Sequence, residues 1–343
     1  MKISIGSKIQ DGPWGGGNLF AINFSKFLTN NGHEVVYNLE DSDIDIILMT
    51  EPRKTSPSSA FSNYDVLNYL KYKNSEALVV HRVNECDEHK DTKFINKYIS
   101  FANTCADATI FVSTWIKDLY INMGNFSSKP YKVILAGSDK SIFNKENFNF
   151  WDNSKKVKIT THHWSKNWNK GFEVYKFLDN LLSNEKYSSL IEFTFIGRLP
   201  DNLDLKNTKI VKPLTGSKLA KEIKKNHLYI TGSLNEPSGN HHIEALQCGL
   251  PVLYIDSGGI KEYCEGYGIE FKLENLEEKL IYSIDNYKHL VDNADNYPGD
   301  ANKMSNEFLI FFESLLNNKQ ELIKKRVKQK PRILKDIFYK IKY

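Results

Sequence analysis

Two glutamates eight positions apart, Glu236 and Glu244, flank a histidine pair in "NEPSGNHHIEALQCGLPV", residues 235–252. Residues of these types hold metals, exchange protons or bind polar ligands. A helical metal motif needs two histidines four apart on one face. Adjacent side chains point about 100° apart around a helix, so of this pair only His241 shares a face with Glu244. No metal is therefore expected here. Two carboxylates also serve glycosidases as acid and nucleophile or base, and spacing alone leaves that reading open. Glu244 is expected in the first turn of a helix that ends at Gly249 before Pro251 starts a strand, with Glu236 on the loop before it.

Two further stretches carry chemistry. "DGPWGGGN", residues 11–18, follows a strand and opens a helix, so Gly15, Gly16 and Gly17 let backbone approach a ligand at a positive helix end. It is neither GxGxxG nor a P-loop, since no Lys-Ser/Thr follows the glycines. A turn without a ligand fits it as well as an anion or sugar cradle. "VVHRVNECDEHK", residues 79–90, brings His81, Arg82, Asn84 and Asp87 to the end of another strand.

The elements that must position these residues alternate. "KISIG", "EVVYN", "DIDIILM", "ALVVH", "ATIFV" and "YKVIL" are separated by helical or loop patterns, the first helix lying over "LFAINFSKFLTNNG" with Asn18 as its expected cap. After a polar stretch the pattern restarts with "KVKITTHH", "IEFTFIG", "TKIVK", "HLYITG" and "PVLYID". Strand and helix taking turns imply parallel sheets. The fold class is α/β, two doubly wound Rossmann-like domains facing an interdomain cleft, where such sheets bind ligands at the carboxyl ends of their strands. The expected boundaries are 1–150 for the first domain, 151–305 for the second and 306–343 for C-terminal helices with a basic tail. A chain of 343 residues suits two cores better than one.

Charge is uneven along the chain. Residues 319–343 hold ten Lys or Arg against two acids, a local net of +8, which leaves −4 on the other 318 residues. The basic character belongs to the tail, and nucleic acid is not an expected partner. Ile333, Leu334, Ile337, Phe338 and Ile341 recur there at helical spacing, as in an amphipathic helix on an anionic membrane surface, and a solvated terminus fits the tail equally. The four cysteines form no CxxC pair, and the chain starts without a secretory pattern. A cytoplasmic protein is expected, peripheral at the inner face of the membrane under the reading in which the tail binds lipid and free of it under the other.

"GSLNEPSGNHHIEALQCGLPVLYIDSGGIKEYC", residues 232–264, resembles the signature of retaining, GT-B fold glycosyltransferases of family 4 (group 1), in which Glu, seven residues, Glu precedes an "EAxxCGxPV" helix and a "GG" loop. "HHWSKNWNKG" is similar to that family's phosphate-binding Lys-Gly loop, and "FIGRLP", "AGSDKSIFN" and the early glycine-rich loop join it, spanning about residues 1–300. The resemblance implies that Glu244 accepts hydrogen bonds from the ribose of a nucleotide-sugar and that Glu236 touches the donor sugar; a carboxylate's two oxygens suit the two donors of a vicinal diol. It makes Lys170 the group that stabilises the departing diphosphate. Other donor contacts are implied for His163, Gly197, Arg198, Ser238, Gly239, Asn240, Gly258 and Gly259. His81 would orient donor or acceptor, and Trp14, Arg82, Asn84 and Asp87 would meet the acceptor, a glycan or lipid-linked sugar.

The chain departs from the family in two places. Where the family has Arg before that Lys, "THHWSKN" offers His163, Ser165 or Lys166, and "EPSGNHH" lacks the usual Gly-Phe-Gly. The implied activity is hexosyl transfer from a nucleotide-diphosphate-sugar co-substrate with retention, in surface polysaccharide or glycoconjugate assembly, without metal or other cofactor. A nucleotide-sugar epimerase on the same scaffold and a non-catalytic sugar-binding protein are the competing readings.

Overall fold

The computed structural model describes residues 1–327 apart from Pro13, Asn125 and Ser127. The amphipathic pattern expected around Ile333 to Ile341 lies outside the described residues. The chain divides into two compact units, residues 1–135 with 302–343, and residues 136–301.

The first unit is built on strands β1 (Lys2–Ile5), β2 (Glu34–Val36), β3 (Ile46–Met49), β4 (Leu78–Val83), β5 (Ala108–Phe111) and β6 (Tyr131–Val133). They pair in parallel in the order β2-β1-β3-β4-β5-β6. Every residue of β3, β4 and β5 is buried, as expected for strands covered on both faces, whose sequences read as continuous apolar runs. The connecting helices are α1 (Gly16–Asn30), α2 (Asn63–Tyr72), α3 (Asp87–Lys90), α4 (Ile95–Ala102) and α5 (Thr114–Asn122). Local signals fix several of their starts. Ser62 and Asp65 form a reciprocal capping box on α2, and the Ser113 hydroxyl accepts the Ile116 N–H at the start of α5.

Asn18 does not cap α1, contrary to the sequence expectation. The helix begins two residues earlier, with Gly15 at its N-cap. The Asn18 side chain reaches back instead, accepting the Gln10 N–H and donating to the Gln10 carbonyl, each at 2.9 Å, and so ties down the preceding loop.

The second unit repeats the plan with β7 (Val157–His163), β8 (Ile191–Gly197), β9 (Lys209–Val211), β10 (Leu228–Thr231), β11 (Val252–Tyr254) and β12 (Gly268–Glu270), parallel in the order β12-β11-β10-β7-β8-β9. Its helices are α6 (Phe172–Leu181), α7 (Glu185–Ser188), α8 (Gly216–Ile223), α9 (Asn240–Gln247), α10 (Ile260–Cys264), α11 (Leu276–Asp285) and α12 (Tyr287–Ala294). Phe172, Tyr175, Phe193 and Phe195 form the centre of its core. The order reverses between β10 and β7, with crossovers leaving in opposite directions, which is where a doubly wound sheet opens a crevice at its carboxyl ends.

The boundaries differ from those expected. The stretch 136–150 belongs to the second unit because Ser138 donates to the Gly299 carbonyl and accepts from the Ala301 N–H, both at 2.9 Å. The last two helices among the described residues, α13 (Ala301–Asn317) and α14 (Lys319–Val327), return to the first unit. Phe308 packs on Phe20 and Phe24 of α1 at ring distances of 5.2 and 5.1 Å. Arg326 completes the attachment: its guanidinium pairs with buried Asp107 on both oxygens and donates to the carbonyls of Ser75 and Ala77 at 2.9 and 2.8 Å. No helix among the described residues is long and apolar enough to cross a membrane.

Candidate donor site in the second unit

Strand β7 ends in two adjacent histidines, and successive side chains of a strand leave on opposite faces. His163 turns to α6, where its Nε2 lies 2.6 Å from the Tyr175 hydroxyl and its ring stacks on the Tyr175 ring. His162 turns to α9, where its Nε2 lies 2.9 Å from Oε2 of Glu244. Burial holds His163 well below the ordinary histidine pKa. His163 is therefore neutral near pH 7 and does not supply the positive charge of an arginine. Of the other two candidates for that role, Lys166 pairs with Asp201 at the exposed edge, and the Ser165 hydroxyl accepts the Asn167 N–H at 3.1 Å.

Glu244 is only 4% exposed and sits in the second turn of α9, not the first, because the helix starts at Asn240. One carboxylate oxygen faces His162 across the carboxyl edge of the sheet.

The loop after β7 makes a short turn over Trp168–Lys170 and enters α6 through Gly171. Lys170 there forms an ion pair with Glu236, which is 5% exposed. The Glu236 backbone is fixed too. It forms a parallel bridge with Gly258, and its carbonyl accepts the Gly259 N–H at 2.8 Å. Gly258 has φ +71, and a Cβ there would stand 2.4 Å from the Glu236 carbonyl oxygen. Only glycine serves at such a site. Gly197 is similarly constrained at the end of β8, where a Cβ would fall 2.0 Å from the His163 carbonyl oxygen. Arg198, the next residue, lays its guanidinium 3.8 Å over the Trp164 ring.

Of the residues singled out in this half, Lys170, Glu236, Gly239, Gly258 and Gly259 thus form one connected group, and Glu244 is held by His162. Gly239, at the N-cap of α9 with φ +64, leaves room where a Cβ would meet the Glu236, His241 and His242 side chains at 2.9 Å. Ser238 precedes that cap, and Asn240 opens the helix.

His241 and His242 complete a cluster with His162 and His163; the ring of His241 lies 4.7 Å from His163 and 4.8 Å from His242. His241 bonds the Thr231 hydroxyl at 2.8 Å, whereas neither ring nitrogen of fully buried His242 has a hydrogen-bond partner. Burial pushes His242 down to about 3. Despite the crowding, no three His, Cys, Asp or Glu side chains among the described residues converge to hold a metal.

In the first unit, His81, Arg82 and Asn84 line a common small pocket with Thr50, Glu51 and Arg53. His81 lies within β4, its Nδ1 3.0 Å from Oδ1 of Asn103, and burial lowers it to about 4. The Arg82 guanidinium stacks 4.0 Å over Phe20. Asp87 is committed elsewhere: it accepts the N–H groups of Phe94, Ile95 and Asn96 at 2.9, 2.8 and 3.1 Å and so secures the start of α4. Trp14 is exposed beside the glycine triplet. At Gly15 and Gly17 a Cβ would meet nothing within 4 Å, so packing within the chain does not account for these glycines.

Residues 163–296 match the family model for glycosyl transferases group 1. That stretch of the second unit is similar to the group 1 glycosyl transferases. It contains the Lys170–Glu236 pair, Glu244 and the Gly258–Gly259 turn. With its partner unit the chain has the GT-B fold of solved glycosyltransferases. It is similar to HepE of Anabaena, solved with UDP and glucose, at 13% identity and TM-score 0.66, covering 92% of this chain and 99% of that one. Sucrose-phosphate synthase of Thermosynechococcus elongatus matches at 11% identity and TM-score 0.63, over 92% and 99% of the two chains. WaaG, a glycosyltransferase involved in lipopolysaccharide biosynthesis, matches at 13% and 0.62, over 90% and 98%. No curated protein sequence matches the chain.

His162 and Tyr229 escaped the sequence reading. His162 opens the quoted "HHWSKNWNKG" stretch but has no role of its own there, and Tyr229 figures only as part of the strand "HLYITG". The signal available was a pair of polar rings at the carboxyl end of an apolar strand, where one of the two must face the crevice.

Proposed function

We propose that this glycosyltransferase moves a hexose-type sugar from a UDP-sugar to a glycan or lipid-linked acceptor with retention of anomeric configuration, in surface polysaccharide or glycoconjugate assembly. The observation that carries this reading is the Lys170–Glu236 pair in front of α6, within the matched segment and beside the Gly258–Gly259 turn. The UDP in this proposal comes from relatives solved with UDP or UDP-glucose.

Chemically, the difficult event is departure of a diphosphate. Lys170 and the N-terminal N–H groups of α6 would stabilise the charge that develops on it, as preorganised donors do in a partly buried site. Each 1.4 kcal/mol so supplied is worth about tenfold in rate. No metal is needed for this role. Glu236, freed from part of its ion pair when the phosphates engage Lys170, would hold donor-sugar hydroxyls, and Glu244 the ribose. Retention follows from attack on the face the diphosphate leaves, with a departing phosphate oxygen taking the acceptor's proton. The first unit, through His81, Arg82, Asn84 and Trp14, would receive the acceptor.

Incubating the full chain with a panel of UDP-sugars and a glycan acceptor tests the proposal. Release of UDP with an α-linked product from an α-linked donor supports it. An isomerised donor would indicate an epimerase, and tight binding without turnover a sugar-binding protein; either result overturns it.

A further inference from the structure

We infer that His162, itself aligned by Tyr229, is a positioning residue that sets the Glu244 carboxylate for the nucleotide ribose. The inference rests on the ribose role of Glu244 proposed above and adds what makes that role work. The three side chains come from separate elements: His162 ends β7, Tyr229 lies in β10 and Glu244 lies in α9.

Their hydrogen bonds fit one another. The His162 backbone N–H donates to the Tyr229 hydroxyl at 3.0 Å, and the same hydroxyl lies 3.1 Å from His162 Nδ1. The Tyr229 hydroxyl thus orients the ring from the Nδ1 side, while it also lies 3.5 Å from the His162 carbonyl oxygen. The second ring nitrogen, Nε2, carries a hydrogen and donates to Oε2 of Glu244 at 2.9 Å. A carboxylate only accepts, so the hydrogen between the ring and Glu244 belongs to Nε2. Tyr229 is fully buried, and burial raises its pKa well above 10, which keeps its hydroxyl a donor at any working pH.

The consequence is an oriented carboxylate. Glu244 has one oxygen occupied by His162, which fixes the rotation of the group and directs the other oxygen's lone pairs. A free glutamate would have to be ordered by the ligand, at an entropic cost that lowers affinity. Supporting groups behind a binding residue act in this way at many sites.

The test is calorimetric titration of UDP and of 2′,3′-dideoxy-UDP into the full-length protein and its variants. Wild type is expected to bind UDP about tenfold or more tighter than the dideoxy analogue, since a charged hydrogen bond is lost. His162→Leu should weaken UDP by about tenfold yet leave the dideoxy affinity unchanged, and His162→Gln, whose amide nitrogen can stand in for Nε2, should recover most of the loss. Tyr229→Phe keeps the packing and removes only the hydroxyl, and it should shift UDP affinity in the same selective way. Equal weakening of both nucleotides by His162→Leu, or no weakening of either, overturns the positioning role. If wild type itself fails to discriminate the two nucleotides, the ribose assignment of Glu244 falls, and the inference with it.

Discussion

Lys170 and Glu236 stand 66 residues apart in the chain and meet as an ion pair at the carboxyl edge of the second sheet. The pair neutralises a lysine that the proposed chemistry needs charged and available. It also satisfies a glutamate that is otherwise buried.

Lys170→Ala should therefore do two separable things. Turnover of UDP-sugar should fall by about 10²–10³-fold with a smaller change in KM, the scale seen when one preorganised donor is removed. Stability should fall as well, because Glu236 is left buried without its cation. Adding Glu236→Gln to that variant should restore the melting temperature but not the turnover. Initial rates and thermal melts on the two variants check this, and recovery of turnover would refute the leaving-group role.

Gly17→Ala is expected to separate function from folding in the opposite sense. The position lies inside α1 with open space around it, so alanine should stabilise by up to about 1 kcal/mol through helix propensity. Donor turnover should drop if a ligand approaches that backbone. A variant that is both more stable and fully active would leave the glycine triplet without a binding role.

Acid should unfold the protein early. Burial lowers His242 to about 3 and His81 to about 4, and it lowers His163 and His241 as well. A histidine whose folded pKa lies below its free value takes up protons in the unfolded chain first. Stability is then lost as the pH falls from about 6.5 toward the folded pKa values, at up to about 1.4 kcal/mol per pH unit for each such group. His242→Phe should flatten the acid limb by about one proton in that range, and at neutral pH it should be tolerated because it removes two unpartnered polar atoms. Denaturant midpoints measured from pH 4 to 8 test the sign and the proton count.

Arg326→Ala should cost the first unit about 3–5 kcal/mol, since it leaves buried Asp107 without its bidentate partner. Lysine is expected to rescue little of this, because one ammonium does not reproduce a fork that reaches a carboxylate and two carbonyls. Urea titration of the three forms gives the comparison.

Much of this architecture was readable before any coordinates. The strands β1 to β11 all coincide with short β-branched runs: central ones such as β3, β4 and β5 are buried throughout and so read as continuous apolar stretches, and the partly exposed edge strands β2, β6 and β9 still carry Val or Ile. β12 escaped, since "GIE" has three residues and begins with glycine. Glu236 stood out by its place before the helix, whereas Lys170 and the Gly258–Gly259 turn came from the resemblance of local motifs to a known family. What spacing does not encode is contact between distant elements. The reach of His162 to Glu244 across 82 positions depends on which face of β7 turns toward α9. The return of α13 depends on aromatic rings of α1 that any amphipathic helix could have used. The turn of α9 that bears Glu244 was misplaced by one because Gly239, rather than a later residue, caps the helix.

The attachment of α13 and α14 to the first unit also bears on how the polypeptide is made. Residues 136–301 leave the ribosome before the two helices that close the earlier sheet exist, and domains generally fold as units when their sequence is complete. The second unit is thus able to mature first, while the amino-terminal one waits with Phe20 and Phe24 uncovered. A nascent chain arrested near residue 300 should expose that aromatic surface to chaperones, and release of the last segment should end the exposure.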